Sequence, residues 1–342
     1  MIDLRSDTKT LPSDAMRVAI ANADLGDDVA GEDPTANELE RLSATLLGKE
    51  AACLVTSGTQ GNLTSIYAQT RPGEELVCHE AAHINSYERG GFAAVCGLLS
   101  RPLPGRHGAL DADALRALFT RRPDIHYQRI SLVCLENTHN ACGGTCLTAE
   151  QIGAVADVAH EFGARLHMDG ARIFNAQVAL GVPAAELVAK ADTVTFCFSK
   201  GLGAPVGSVV CGSAETIQRV REARKLFGGA LRQAGIIAAG GLYALQHHVA
   251  RLAEDHAHAR RIAEVLAASR GVEVDLDTVQ TNIIYFAVRR DDLTAPQLCD
   301  RLAEYGIRAS ARDDHSIRFV THLDISDAAT ELICQALQQA LA

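Results

Sequence analysis

The chain has 342 residues, 47% of them apolar and 22% charged, a composition that suits a soluble globular protein with core enough for two domains. Its net charge of −10 is spread along the sequence, which argues against the basic patch of a nucleic-acid surface, and no run of about 18 apolar residues offers a membrane span. No secretory signal opens the chain, so a cytoplasmic setting with reduced thiols is expected for its ten cysteines.

The first 35 residues are polar and turn-rich. Pro12 and Ser13 predict a short helix through Ala23, and Thr35, with Glu38 in the capping-box position, predicts the start of the next. The pattern then alternates. "AACLV" is a strand, "SGTQGN" a turn and "LTSIYAQT" a helix. "EELVCHE" is a strand, and "AAHINSYERGGFAAVCG" runs into helix and strand again. "ALDADALRALFT" is a helix, "ISLVCLEN" a strand, "TAEQIGAVADVAHEFG" a helix, "ARLHMDG" a strand, "AAELVAKA" a helix and "DTVTFCFS" a strand. Strands alternating with helices mean βαβ units and a mostly parallel sheet, and continuous apolar runs mean strands buried on both faces. "TVTFCFSKGLGAPVGSVV" reads as a strand, a lysine, a turn and another strand. A long helical stretch then covers about 233–268, and strands "TNIIYFAV" and "SIRFVTH" alternate with helices "APQLCDRLAEYG" and "SDAATELICQALQQALA". This divides the chain into a large domain over 1–249 and a smaller α+β domain over 250–342.

Ligands of open α/β sheets bind at the carboxyl ends of the strands. Four strands here end in polar groups: Thr56-Ser57-Gly58-Thr59-Gln60-Gly61, then Asn137-Thr138-His139, then Asp169 with Arg172, then Lys200. Singly, each has a structural reading as a helix cap, a loop ion pair or a surface lysine. Together, a phosphate cradle, an acid and a lysine are what pyridoxal phosphate requires. The lysine forms a Schiff base with the cofactor aldehyde, the acid keeps the pyridine nitrogen protonated, and the cradle holds the phosphate. His83 is the candidate to cover one ring face. Cys142 and Cys146 lie near His139, but no second ligand pair with zinc-like spacing follows, and no metal is expected.

The motifs "IDLRSDT", "GEDPTANELE", "TSGTQGN", "ENTHN", "HMDGARIFNA", "FSKGLGAPVGSVV", "RKLFGGALRQAG" and "IRFVTH" span residues 2 to 322 in one order. With them the chain resembles the low-specificity L-threonine aldolases, fold-type I pyridoxal-phosphate enzymes. The resemblance implies a large domain with a mostly parallel seven-stranded sheet, a smaller C-terminal α+β domain, and an N-terminal segment folded over the site. It implies that Lys200 is the Schiff-base lysine, Asp169 the pyridinium partner, Gly58 and Thr59 the phosphate ligands and His83 the stacking residue. Arg172 would lie near the ring hydroxyl and the substrate carboxylate, and Ser6 and Arg318 would bind that carboxylate. Alternation along "SIRFVTH" independently puts Ser316, Arg318 and Val320 on one face of a strand. Lys225 and Arg232 match positions from which a neighbouring subunit reaches the phosphate, and His126 one that handles the β-substituent. A homotetramer, at least a homodimer, with active sites at the subunit interface follows. One departure is Ala30, where the family usually has tyrosine.

The reaction so implied is reversible cleavage of L-threonine or L-allo-threonine to glycine and acetaldehyde through a substrate Schiff base, with His83, His126 or a water as base. Two other readings use the same residues: another lyase reaction such as β-elimination or phenylserine cleavage, and a noncatalytic pyridoxal-phosphate sensor. A Rossmann dehydrogenase is disfavoured because "SGTQGN" lacks the G-x-G-x-x-G spacing.

Overall fold

The structure is a computed structural model that describes residues 1–120 and 124–342. The chain opens with strand β1 (Ile2–Asp3), helix α1 (Asp14–Ala21) and helix α2 (Pro34–Leu46). The large domain continues with β2 (Ala51–Val55), α3 (Gly58–Gln69), β3 (Glu75–His79), α4 (His83–Ser86), α5 (Gly91–Cys96), β4 (Leu99–Leu103) and α6 (Ala112–Phe119). Next come β5 (Ile130–Glu136), α7 (Ala149–Glu161), β6 (Arg165–Asp169), α8 (Ile173–Leu180), α9 (Ala184–Leu187), β7 (Thr193–Cys197), β8 (Ser208–Gly212), α10 (Ala214–Leu226) and α11 (Gly235–His247). Helix α12 (Leu252–Ala268) leads into β9 (Val272–Glu273), β10 (Ile283–Val288), α13 (Ala295–Glu304), β11 (Ile307–Arg308), β12 (Ser310–Ala311), β13 (Ser316–Val320) and α14 (Asp327–Leu341).

The seven-stranded sheet runs β2-β8-β7-β6-β5-β3-β4, and β8 alone is antiparallel to its neighbours. Because β8 returns against both β2 and β7, those two strands point the same way as the parallel set. The carboxyl ends of β2, β3, β5, β6 and β7 therefore share one edge, and that edge carries the site. Strands β3 and β7 are buried along their whole length, which is why their apolar runs do not alternate. A second, four-stranded antiparallel sheet, β12-β13-β10-β9, packs its apolar face on α12, α13 and α14, with Ile317 and Phe319 wholly buried. Strand β1 pairs in parallel with β11, so Leu4 is buried in this second core although it lies at the start of the chain.

Three local expectations are corrected. Asp33, not Thr35, caps α2: Pro34 supplies the preset first turn, Asp33 Oδ1 accepts the Ala36 N–H at 2.9 Å, and Thr35 Oγ1 instead donates to Asp24 O. The "GTQGN" stretch is not a turn before α3 but its first turn, capped by Ser57. The helical stretch expected over 233–268 is two helices, because α11 packs Ala238, Ala244 and Leu245 into the large core while α12 packs Ala259, Ile262 and Leu266 into the small one. His248 marks the break, with its Nδ1 on Leu202 O at 2.7 Å.

Candidate active site

The N-terminus of α3 faces the shared strand edge. The first backbone N–H groups of a helix have no intrahelical acceptor. Ser57 serves one of them here, its Oγ accepting the Gln60 N–H at 3.2 Å, while its carbonyl takes the Gly61 N–H at 2.9 Å as the first bond of the helix. The amides of Gly58 and Thr59 are left for an anion, which the helix dipole also favours. Glycine is required for this approach: a Cβ on Gly58 would lie 2.8 Å from Cys197 Sγ, and one on Gly61 would overlap Thr195. The glycines bring α3 down onto β7, beside the loop that carries Lys200.

Asp169 ends β6, buried, in register with Glu136 on β5. Its Oδ1 accepts the Ala171 N–H at 3.1 Å and its Oδ2 accepts from Asn62 Nδ2 at 2.8 Å. Asn62 Nδ2 also donates to Glu88 Oε1 at 2.8 Å, so one amide from α3 joins two carboxylates. With its nitrogen thus committed, Asn62 presents Oδ1 to His167 Nε2 at 3.1 Å, which makes that nitrogen the donor. His167 Nδ1 then accepts from Thr193 Oγ1 at 2.8 Å, and Thr193 accepts from Gln69 Nε2 at 2.8 Å. Burial lowers the His167 pKa to about 4, so the ring is neutral, as this chain of bonds demands.

His83, at the start of α4, is half-buried and donates Nδ1–H to Glu88 Oε1 at 2.8 Å. Burial pulls its pKa down, but the bond to Glu88 and the charge of Asp169 outweigh burial and leave it raised. Glu136 accepts the backbone N–H of His83 at 2.7 Å and that of Asn140 at 2.8 Å. Burial, then the neighbouring charge of Asp169, pushes the Glu136 carboxyl up to about 7.

Lys200 sits half-buried in the β7–β8 connection, and its carbonyl accepts from Thr10 Oγ1 at 3.2 Å. The N-terminal segment therefore lies against this loop. From the same segment Asp7, wholly buried, takes a two-pronged bond from Arg172, with Nε to Oδ2 and Nη2 to Oδ1 both at 2.7 Å. Asn282 donates to Asp7 at 3.3 Å. Burial alone would raise the Asp7 pKa, but Arg172 and then Lys200 hold it well below the carboxylate range. Ser6 caps the short turn that carries Asp7, its Oγ accepting the Thr8 N–H at 3.2 Å. Arg318 reaches across from β13, with Nη1 to Asn140 Oδ1 at 2.9 Å and Nη2 to Arg5 O at 3.1 Å, while its buried Nε has no partner among the described residues.

One chain thus brings together Gly58, Thr59, His83, Asp169, Arg172, Lys200, Ser6 and Arg318. Three other expected site residues stand apart. His126 is exposed on a turn with its Nδ1 on Asp124, and makes no hydrogen bond to the cluster among the described residues. Lys225 is exposed and lines an open cavity of about 670 Å³ with Ala30, Asp28 and Arg224. Arg232 is exposed and pairs with Asp27 at 3.0 Å. Sequence reasoning missed Asp7, Asn62, Glu88, Glu136 and His167. The one visible signal was an acid closing an apolar strand, as Glu136 closes "SLVCLE".

The cluster fits a ligand with an anionic group, a nitrogen heterocycle and a carbonyl: open amides for the first, a buried acid for the second, an amine for the third. A family model described as β-eliminating lyase matches residues 3–289. Low-specificity L-threonine aldolase 1 of Arabidopsis thaliana is 42% identical over 346 residues, covering 99% of this chain and 96% of that protein. The low specificity L-threonine aldolase of Escherichia coli strain K12 is 42% identical over 329 residues, covering 95% of each. Among solved structures, the Leishmania major threonine aldolase superposes with a TM-score of 0.84 at 19% identity over 100% of both chains. Sphingomonas wittichii serine palmitoyltransferase follows at 0.78 and 20% identity, over 99% of this chain and 86% of that one, so these two speak for the fold. By the family match and the near full-length identity to both aldolases, the chain belongs to the β-eliminating lyases and, within them, to the low-specificity L-threonine aldolases.

Proposed function

We propose that this cleft performs reversible retro-aldol cleavage of L-threonine and L-allo-threonine to glycine and acetaldehyde, with pyridoxal phosphate as cofactor and a broad range of β-hydroxy-α-amino acids as substrates. The observation that carries this reading is the convergence of an amine, a buried hydrogen-bonded acid and two open helix amides at one strand edge. When bound, the cofactor supplies an electron sink for the pair left on the substrate α-carbon. We assign its aldehyde carbon to Lys200, its phosphate to the amides of Gly58 and Thr59, its ring nitrogen to Asp169 and its ring face to His83.

The protein groups do the rest. Arg318, whose Nε–H has no partner among the described residues, and Ser6 grip the substrate carboxylate. Arg172 lies beside them, held in one orientation by Asp7. That grip sets which bond of the α-carbon is broken. His83, with Nδ1–H fixed on Glu88, has Nε2 free to take the β-hydroxyl proton as the aldehyde forms. We place Lys225, Arg232 and His126 at a boundary with a second copy of the chain, which makes the working unit at least a homodimer and, by resemblance, a cytoplasmic homotetramer. Their exposure and the open cavity beside Lys225 support that placement.

Lys200→Ala tests the assignment. It should abolish acetaldehyde release and the visible absorbance of the lysine-bound cofactor; unchanged turnover would overturn it. Parallel assay of pyruvate and ammonia from the same β-substituted amino acids separates aldol cleavage from β-elimination, and bound cofactor without any turnover would favour a sensor.

A further inference from the structure

Beside the aldol site the fold assembles a second set of chemistry-bearing side chains. His79 closes β3, His139 follows β5, and Cys142 ends the short turn over residues 140–142. One ligand atom from each lies within 4.8 Å of the others. The two imidazoles meet edge to face, with centroids 4.6 Å apart. Both histidines are buried, and Cys142, half-buried, borders solvent. His139 is wholly buried, yet neither ring nitrogen has a hydrogen-bond partner among the described residues. Leaving a buried polar group without a partner is unfavourable, so an imidazole with two such atoms points to a ligand. Gly108 closes over the ring: a Cβ there would lie 2.5 Å from it.

We propose that His79, His139 and Cys142 form a binding site for a borderline-soft divalent cation, zinc by its donor set. Two imidazoles and a thiolate are the ligands zinc prefers, and the fourth tetrahedral position is left to water entering past Cys142. Glu136 does not fill it, because both its oxygens already accept backbone amides; its Oε2 lies 3.9 Å from His139 Nε2. His79 now uses both nitrogens, Nδ1 accepting from Ala81 N–H at 3.1 Å and Nε2 lying 3.2 Å from Gly105 O, and ligation exchanges one of these bonds for the metal. Binding takes the thiolate, so each ion bound releases the Cys142 proton. The donor that sequence reasoning sought downstream of Cys146 lies upstream instead, on β3, which pairs with β5 through Cys78 and Cys134.

The test uses the holoenzyme, stripped with a chelator and dialysed against zinc. It should take up one ion per chain at this site. His79→Gln and Cys142→Ser should each weaken that uptake at least about tenfold, while Cys334→Ser on α14 leaves it unchanged. A second arm needs no variant: zinc should slow alkylation of Cys142 at least about tenfold, read by peptide mass spectrometry, and leave Cys299 unaffected. Zinc uptake equal in the wild type and in Cys142→Ser, or Cys142 alkylated at the same rate with and without zinc, would overturn the site.

Discussion

Charged groups in the cleft take their chemistry from their partners, whether near in sequence, as Glu88 is to His83, or distant, as Arg172 is to Asp7. Glu88 raises the proton affinity of His83 and fixes its tautomer, so Glu88→Gln should lower kcat by roughly ten- to hundredfold. The acid limb of the kcat/KM profile should also move to lower pH, because a base whose pKa has fallen stays neutral further into acid; an unmoved limb would take His83 out of the proton transfer. Asp7 and Arg172 form a buried pair, and Asp7→Asn, which strands the guanidinium, should cost roughly 3–5 kcal/mol by urea denaturation. The sign of its pH dependence follows from the depressed Asp7 pKa: the contribution is complete above the unfolded value of about 4 and drains away below it. The gap between wild type and variant should therefore hold constant above about pH 5 and narrow in stronger acid.

At the level of elements, the placing of α3 decides whether an anion can be held. Gly58→Ala puts a methyl against Cys197 Sγ at 2.8 Å and should weaken cofactor retention about tenfold, measured by absorbance during dialysis, with the fold intact. Adding Cys197→Ala returns the space and should restore most of the loss; a double variant no better than the single would mean that the glycine serves backbone freedom instead. Much at this scale was legible. Lys200 and Asp169 could be found because β7 and β6 are buried strands with few charges, so a charge at the end of one stands out. Ser57, Gly58 and Thr59 announced a helix start, although the helix begins earlier than expected. The network behind Asp169 was not legible. Asn62 sits mid-helix among small residues, and its three partners, Glu88, His167 and Asp169, are 26, 105 and 107 residues away. Only the strand order brings them within reach of one amide. The split of α11 from α12 was hidden for a related reason: helical periodicity continues across a junction that only the two separate cores define.

Taken as a whole, the molecule has a cleft whose walls come from the elements around its two largest cores. Leu4 fills the smaller core and hands the chain on through Ser6 and Asp7 to the larger one. Leu4→Ala should cost about 2–5 kcal/mol of stability. Assembly beyond one chain gives a further check. If His126 acts across a boundary between copies, His126→Ala should change the ratio of activity on L-threonine and L-allo-threonine without changing cofactor content. Identical kinetics on both diastereomers would remove it from the site, and a monomer seen by sedimentation with full activity would remove the boundary.

The pairing of β1 with β11, and of Leu4 with the backbone of Val320, has a consequence for how the enzyme comes into being. As the ribosome works, residues 2–4 have nowhere to dock until those near 320 are made, roughly 300 positions later. The nascent polypeptide can shape its Lys200 loop well before then, but it cannot close the carboxylate end of its pocket. Activity therefore arrives late in synthesis, and a product cut short before β13 should be inert however well its larger half is folded.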